Sequence, residues 1–160
     1  EAFRVALREE SDRGCALFAV AYLDDALAKL LKTRFVDGPN MDEDLFGAQA
    51  PMSTFSSRIK IAFYLGKIEA HRKSNLDTLR KIRNYFAHHA NVVNFHDQNI
   101  RDRCNNLIVE EKYRELGGRE KFVVVTSGLL GSIHAEIVLS ETYPERPKTF
   151  GRTELKHKNN

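Results

Sequence analysis

The chain has 160 residues, which is the size of one ordinary domain and enough to bury a single core without metals or disulfides. Hydrophobic residues make up 42% of the sequence, a composition that excludes a disordered or fibrous protein. Residues 144–160 hold five basic and two acidic side chains, and subtracting them from the totals of 25 and 22 leaves 20 of each. This neutral body argues against a domain that coats DNA by general electrostatics.

Two isolated cysteines, Cys15 and Cys104, lack the spacing of a disulfide framework, which favours free thiols in a reducing compartment. We find no run of about 18 apolar residues, and the N-terminal stretch is not built like a signal peptide. We therefore expect no membrane span and a cytoplasmic location.

Apolar residues at helical spacing predict an amphipathic helix across residues 2–35. Gly14 interrupts the pattern close to Ser11 and Asp12. The segment is therefore either one helix that tolerates a glycine or two helices separated by a Ser or Asp cap. The acidic residues 37–51, with their Gly and Pro, predict a loop.

Ser53 or Thr54 is predicted to cap the next helix, which ends near residues 66–70. A further helix is predicted to begin around Asn75, a good capping residue, and to lose its pattern after residues 88–89.

The pattern of residues 97–116 predicts a polar helix, which ends at Gly117 and Gly118. The β-branched run at 122–125 would suit a buried strand, but the apolar pattern continues to Tyr143 without a turn. That length favours a helix. Gly128 and Gly131 would then let a neighbouring helix approach closely.

Taken together, the pattern predicts a single-domain all-α bundle of about five or six helices over residues 1–143. Residues 144–160 are predicted to be a basic, disordered tail.

Residues 80–89, Arg-Lys-Ile-Arg-Asn-Tyr-Phe-Ala-His-His, hold the most specific chemistry of the chain. They lie at the predicted end of a helix, where polar side chains could meet a phosphate or a protein partner. Residues 58–83 carry eight basic and two acidic side chains. Such a segment could attract phosphates or pair with acidic flanks of the same chain or of a twin subunit, and we favour pairing.

Two interpretations of Arg83, Asn84 and His88 compete. In the structural one, which we favour, Arg83 pairs with an acid of the first helix while Asn84 and His88 brace a helix end. The candidate acids are Asp12, Asp24 and Asp25. In the catalytic one, His88 moves a proton and Arg83 steadies a phosphate. Arg83 and His88 are about 140° apart on a regular helix, so convergence would need a distorted helix end or a two-fold dimer.

A second set of polar residues could form either a buried ion network or a functional pocket, and we favour the network. Its members are Glu10, Asp12, Arg13, Asp24 and Arg58. The histidines at 88, 89 and 96 match no common zinc spacing, and hydrolase, NTPase and dehydrogenase motifs are missing. We therefore expect no metal and no cofactor.

Four ordered segments resemble the mannitol operon repressor family over about residues 9–140. They are Glu10-Ser11-Asp12-Arg13-Gly14, Leu23-Asp24-Asp25-Ala26-Leu27, Phe55-Ser56-Ser57-Arg58-Ile59-Lys60 and Ile82-Arg83-Asn84-Tyr85-Phe86-Ala87-His88. The resemblance implies an all-α, non-enzymatic bacterial transcription regulator from a family that lacks a recognisable DNA-binding motif and acts through protein partners. We expect a homodimer that works with a protein partner and does not bind DNA directly.

Arg83-Asn84 followed by His88 also resembles the R-x4-6-H motif of the HEPN superfamily, small α-helical domains that include metal-independent ribonucleases. The alternative function is therefore a dimeric endoribonuclease that acts on RNA. Its catalytic residues would be Arg83, Asn84 and His88, brought together from two subunits.

Overall fold

A computed structural model describes residues 2–36, 38–89 and 91–142. This part of the chain is an all-α bundle of seven helices and one 3-10 turn, without strands. The elements are α1 (Ala2–Glu9), α2 (Asp12–Lys32), α3 (Met41–Phe46), α4 (Phe55–Tyr64), α5 (Ala70–His88), α6 (Gln98–Asn105), the 3-10 turn Glu111–Tyr113, and α7 (Gly118–Thr142). The predicted fold class is confirmed. The predicted tail, residues 144–160, lies outside the described residues.

The segment predicted to be helical across residues 2–35 forms two helices, α1 and α2. This is the second of the two predicted alternatives. Ser11 caps α2, and its hydroxyl accepts a hydrogen bond from the Gly14 N–H at 3.0 Å. A Cβ on Gly14 would overlap the Glu10 carboxylate, so the glycine leaves room for that side chain beside the first turn.

Local signals also set both ends of α4. Of the two predicted caps, Thr54 is the one used. Its hydroxyl accepts the Ser57 N–H at 3.1 Å, and the Ser57 hydroxyl accepts the Thr54 N–H at 3.3 Å. At the other end, Gly66 adopts φ 68°, and the Lys67 N–H donates to the Ala62 carbonyl at 2.9 Å. This closing turn needs a glycine because L side chains rarely adopt the left-handed conformation.

Three predicted boundaries were wrong. Residues 37–51 are not wholly loop, because α3 forms within them with three acidic residues in its first turn, where a helix dipole stabilises negative charge. The helix predicted across 97–116 ends at Asn105. α5 begins at Ala70, and Asn75 lies buried inside it.

Asn75 has a tertiary role instead of a capping role. Its side-chain amide donates to the Ile108 carbonyl at 2.9 Å, and its side-chain oxygen accepts the Ile108 N–H at 2.8 Å. Both groups of a buried amide are thereby satisfied, and the loop after α6 is fastened to α5.

α2 lies at the centre of the bundle and packs against α1, α4, α5 and α7. α7 runs parallel to α2, since Asp12 meets Arg119 at one end and Arg34 meets Ser140 at the other. α5 runs antiparallel to α2, since its C-terminal end lies beside the α2 N-terminus at Arg13.

Three phenylalanines form a row across one end of the core. The Phe95 ring centroid lies 5.2 Å from that of Phe86 on α5 and 5.3 Å from that of Phe122 on α7. All three side chains are buried. The run 122–125 is helical, as its long apolar pattern predicted, and the row attaches the segment before α6 to two helices.

α7 departs from two expectations. By length and composition it is apolar enough to cross a membrane, whereas no such segment was expected. It packs on α1, α2, α5 and α6 of the same chain. Gly128 and Gly131 do not receive a neighbouring helix of the described chain, because no described atom outside their own stretch of α7 lies within 4 Å of a Cβ built at either.

Cys15 and Cys104 are free and buried. Burial raises the pKa of Cys15 to about 11 and that of Cys104 to about 12, from an ordinary value of 9.0. We expect neither thiol of the folded protein to react promptly with Ellman's reagent at about pH 8, and both to react after denaturation. One rapid equivalent from the native protein would contradict this.

The same pKa shifts predict the alkaline limit of stability. A thiol with a raised folded-state pKa stabilises the fold below its unfolded pKa of 9.0, and that contribution is lost as the pH rises from there towards about 11 or 12. Thermal midpoints should therefore fall above about pH 9, and less so in Cys15→Ala, whose thiol no longer titrates.

Candidate functional site

Arg119, near the start of α7, joins the ends of three helices. Its Nη1 lies 2.8 Å from Asp12 Oδ1 at the start of α2. Its Nη2 donates to the carbonyls of Leu7 and Arg8, each at 3.2 Å, and to that of Glu10. These carbonyls at the C-terminal end of α1 have no partner within their own helix, so Arg119 satisfies them.

Arg119 was not among the residues predicted from the sequence to form a site. A cation in the first turn of a helix opposes the helix dipole, so its position requires a tertiary partner. That signal was available, but it does not say which acid or which carbonyls are involved.

Asp12 and Arg13 hold the segment that follows α5. The second oxygen of Asp12 accepts the Phe95 N–H at 2.9 Å. Arg13 donates to the His89 carbonyl at 2.6 Å and to the Asn91 carbonyl at 3.0 Å. The C-terminal end of α5 is therefore held against the N-terminus of α2.

Asp24 and Arg58 form a second, separate contact. Arg58 Nη1 lies 2.7 Å from Asp24 Oδ1, Arg58 Nε donates to the Met52 carbonyl at 2.8 Å, and the guanidinium lies over the Phe46 ring. This contact fastens the α3–α4 region to α2. Asp24 is twelve residues from Asp12, about 18 Å along the helix, so the five predicted polar residues do not form one pocket.

The predicted pairing of Arg83 with an acid of the first helix was wrong. Asp12 pairs with Arg119, Asp24 with Arg58, and Asp25 with Lys29 at 2.7 Å. Each of the three acids therefore pairs with a cation other than Arg83. Arg83 makes no hydrogen bond or ion pair with the described residues.

His89, not His88, braces the end of α5. The His89 ring stacks on Tyr85 with centroids 3.8 Å apart, and His89 Nδ1 lies 2.8 Å from the Tyr85 carbonyl. In the part of the chain that the structure describes, the side chains of Asn84 and His88 form no hydrogen bond. The bracing role predicted for that pair was therefore wrong.

α5 remains helical as far as His88, its last residue. Arg83 and His88 therefore point about 140° apart, and the helix distortion that a catalytic pair within one chain would need is not present in the described α5. Arg83 and Asn84 are half-buried and His88 is exposed. Three polar side chains thus stand at a firmly held helix end, accessible and without an intramolecular role among the described residues.

The basic segment 58–83 is largely neutralised by acids of the same chain. Five of its eight cations form ion pairs, at 2.7 to 3.9 Å. They are Arg58, Lys67, Arg72, Lys73 and Arg80. Across residues 2–36, 38–89 and 91–142, no group of three His, Cys, Asp or Glu side chains could hold a metal ion.

A family model described as "Mannitol repressor" matches residues 7–120, well over half of the chain. The chain belongs to the mannitol repressor family. The predicted resemblance is therefore confirmed. The matched range contains the Arg119 network and the Arg83, Asn84 and His88 side chains, and it ends near the start of α7.

Among solved structures, this mannitol repressor family member is similar to the one described as the X-ray structure of the MtlR-HPr complex from Escherichia coli. The TM-score is 0.65 at 19% sequence identity, and the match covers 83% of this chain and 99% of that chain. At this identity the likeness shows a shared fold. A comparison with curated proteins gives no match.

Proposed function

We propose that this chain is a non-enzymatic transcriptional regulator of the mannitol repressor family that acts through a protein partner, and that the partner is HPr. The observation that carries the proposal is the accessible Arg83, Asn84 and His88 surface at the end of α5, which has no role inside the described chain. The fold likeness to the protein of the MtlR-HPr complex supports the choice of partner, since it covers 99% of that chain.

The proposal includes a cytoplasmic regulator whose helical domain, residues 1–143, does not bind DNA directly. The body carries equal numbers of basic and acidic side chains, and most cations of its most basic segment are already paired. Nonspecific DNA binding depends on unpaired cations that can neutralise phosphates. Here that source of affinity is small.

A ribonuclease has less support. Its proton-transfer and phosphate-binding groups would have to converge, whereas Arg83 and His88 diverge on a regular helix. We propose a homodimer, but as an arrangement for regulation and not for catalysis.

We expect Arg83→Ala and His88→Ala each to weaken binding of purified HPr about tenfold to a hundredfold, because hydrogen bonds to charged groups contribute about 1.5 to 3 kcal/mol. Neither change should alter the free energy of unfolding by more than about 0.5 kcal/mol, because neither side chain has a partner to lose in the part of the chain that the structure describes. Titration calorimetry gives the first quantity, and urea denaturation gives the second.

Arg114→Ala is the matched control, because it removes an exposed arginine whose partner among the described residues is Glu111, three residues away. It should bind HPr like wild type. Wild type that fails to bind HPr at about 100 μM would contradict the choice of partner. Equal affinities for wild type and both α5 variants would contradict the choice of surface.

A further inference from the structure

A groove of about 870 Å³ lies between α1, the start of α5, the loop after α6 and the middle of α7. Phe3 and Arg4 line it from α1, His71 and Arg72 line it from α5, and α7 lines it between residues 124 and 134. Sites for small molecules have volumes of about 300 to 1,000 Å³. The groove is therefore large enough for a small organic ligand.

Arg4 is a half-buried cation of this groove that has no partner. It forms no hydrogen bond or ion pair with the described residues. Its Nε is buried, whereas its two terminal nitrogens are not among the buried atoms, so the stem is covered and the terminal donors are open. A half-buried charge without a counter-ion is unfavourable, and an anion in the groove would supply one.

The acids at the groove do not neutralise this arginine. Glu110, which lines the groove, lies 2.8 Å from Lys112. Glu69 lies 3.9 Å from Arg72 and 3.2 Å from His71. Each acid is thus matched by another cation, and the guanidinium on α1 leaves the groove with a net positive charge.

The α7 side of the groove offers apolar surface and open space. Val124 lines the groove and is half-buried, while Gly128 and Gly131 line it and are exposed. No described atom outside their own stretch of α7 lies within 4 Å of a Cβ built at either glycine. The two glycines therefore leave room that a larger side chain would fill, and a flat apolar group could lie against the helix there.

We propose that the groove binds a small phosphate monoester, with its phosphate on Arg4 and an apolar organic part against α7. A phosphate monoester carries a charge of about −1.5 to −2 at pH 7 and three acceptor oxygens. The planar fork of an arginine binds such oxygens in pairs. His71 and His134 line the same groove, and an imidazole can donate a hydrogen bond in either protonation state.

This lining suits a phosphate monoester better than two simpler anions. A carboxylate has one charge and two oxygens, and so makes less use of several donors. Inorganic phosphate has the charge but fills only part of 870 Å³ and gains nothing from the apolar side of the groove.

The groove is separate from the end of α5 that is proposed to bind HPr. Arg72 and His88 lie near opposite ends of α5, about 24 Å apart along the helix axis. A ligand in the groove therefore leaves the HPr surface open, and this proposal does not depend on the choice of HPr as the partner.

Titration calorimetry of the full chain with phenyl phosphate tests the proposal, because this probe joins a phosphate monoester to a flat apolar ring. We expect wild type to bind it with a Kd below about 1 mM. Phenol lacks the phosphate, inorganic phosphate lacks the ring, and benzoate replaces the phosphate with a carboxylate. Each of these three should bind at least about tenfold more weakly.

Arg4→Gln should weaken the binding of phenyl phosphate about tenfold or more, because it removes the charged donors. Its melting temperature without the probe should stay within about 2 °C of wild type, since Arg4 has no described partner to lose. Arg101→Gln is the matched control, because Arg101 is an exposed arginine on α6 that does not line the groove. Its affinity should stay within about twofold of wild type.

Gly131→Leu tests the position of the ligand with a variant whose fold is safe. The space in front of Gly131 is open, and leucine favours helix more than glycine does. We expect the added side chain to fill part of the groove and to weaken the binding of phenyl phosphate about tenfold or more. Its melting temperature without the probe should match or exceed that of wild type.

Wild type that does not bind phenyl phosphate at about 5 mM would overturn the proposal, as would binding that Arg4→Gln and Gly131→Leu both leave intact. Benzoate or inorganic phosphate that binds as tightly as phenyl phosphate would contradict the proposed class of ligand. Titration of the same samples with HPr keeps the two proposals apart. Wild type that binds phenyl phosphate but not HPr would count against the proposed partner alone.

Discussion

Replacing Arg119 with methionine should lower the free energy of unfolding by about 2 to 3 kcal/mol and the melting temperature by about 5 to 10 °C. Arg119 satisfies three carbonyls at the end of α1 and pairs with Asp12. Methionine retains apolar volume but cannot donate, so the carbonyls lose this donor and the Asp12 carboxylate loses its ion pair while it keeps the Phe95 N–H. The arginine is 29% and the aspartate 22% exposed, and water therefore offsets part of the loss.

Arg114→Met is the control for this prediction, because its ion pair with Glu111 lies on the surface. Urea denaturation should place it within about 0.5 kcal/mol of wild type. The double variant Asp12→Asn with Arg119→Met should be destabilised by less than the sum of the two single changes, since both remove the same interaction. Additive effects would show that the two side chains do not depend on each other.

Replacing Phe95 with alanine should cost about 3 to 5 kcal/mol of unfolding free energy, the range for truncating a buried phenylalanine. The Phe95 ring lies between those of Phe86 and Phe122, so its loss leaves a cavity between α5 and α7. The segment 91–97 would lose its anchor, and amide exchange there and at the end of α5 should accelerate.

Tyr64→Ala removes an aromatic side chain of similar size that is exposed, and its stability should stay within about 0.5 kcal/mol of wild type. The comparison separates burial from aromatic character. Similar losses at both positions would mean that the phenylalanine row does not contribute its packing to the core. We also expect Phe95→Ala to weaken HPr binding, because the α5 surface depends on the segment that Phe95 anchors.

Most polar residues of the four segments that resemble the mannitol repressor family stabilise the fold. Asp12 and Arg13 hold the α1 end, the α7 start and the chain that leaves α5, while Arg58 fastens the α3–α4 region. Their polar side chains are used inside the molecule. Arg83, Asn84 and His88 differ, because the described chain gives them nothing to bind, and they are therefore the residues available to a partner.

The sequence by itself determined the all-α fold class, the approximate extents of α2 and α7 along the chain, and several helix ends. Apolar spacing over long segments is a local property, and so is the capping by Ser11 and Thr54, whose partners lie three residues away. The helical state of 122–125 followed from the length of the pattern around it, which outweighed the strand preference of valine.

Tertiary structure alone decided how the polar residues pair. Asp12 pairs with Arg119, which is 107 residues away in the sequence. Asn75 binds Ile108, which is 33 residues away, and does not cap a helix. Ion pairs and buried amides depend on which helix ends meet, and that is set by packing of the whole core, not by spacing along the chain. For the same reason the sequence could not show that Gly128 and Gly131 would face open space, which only the arrangement of the other helices around α7 determines.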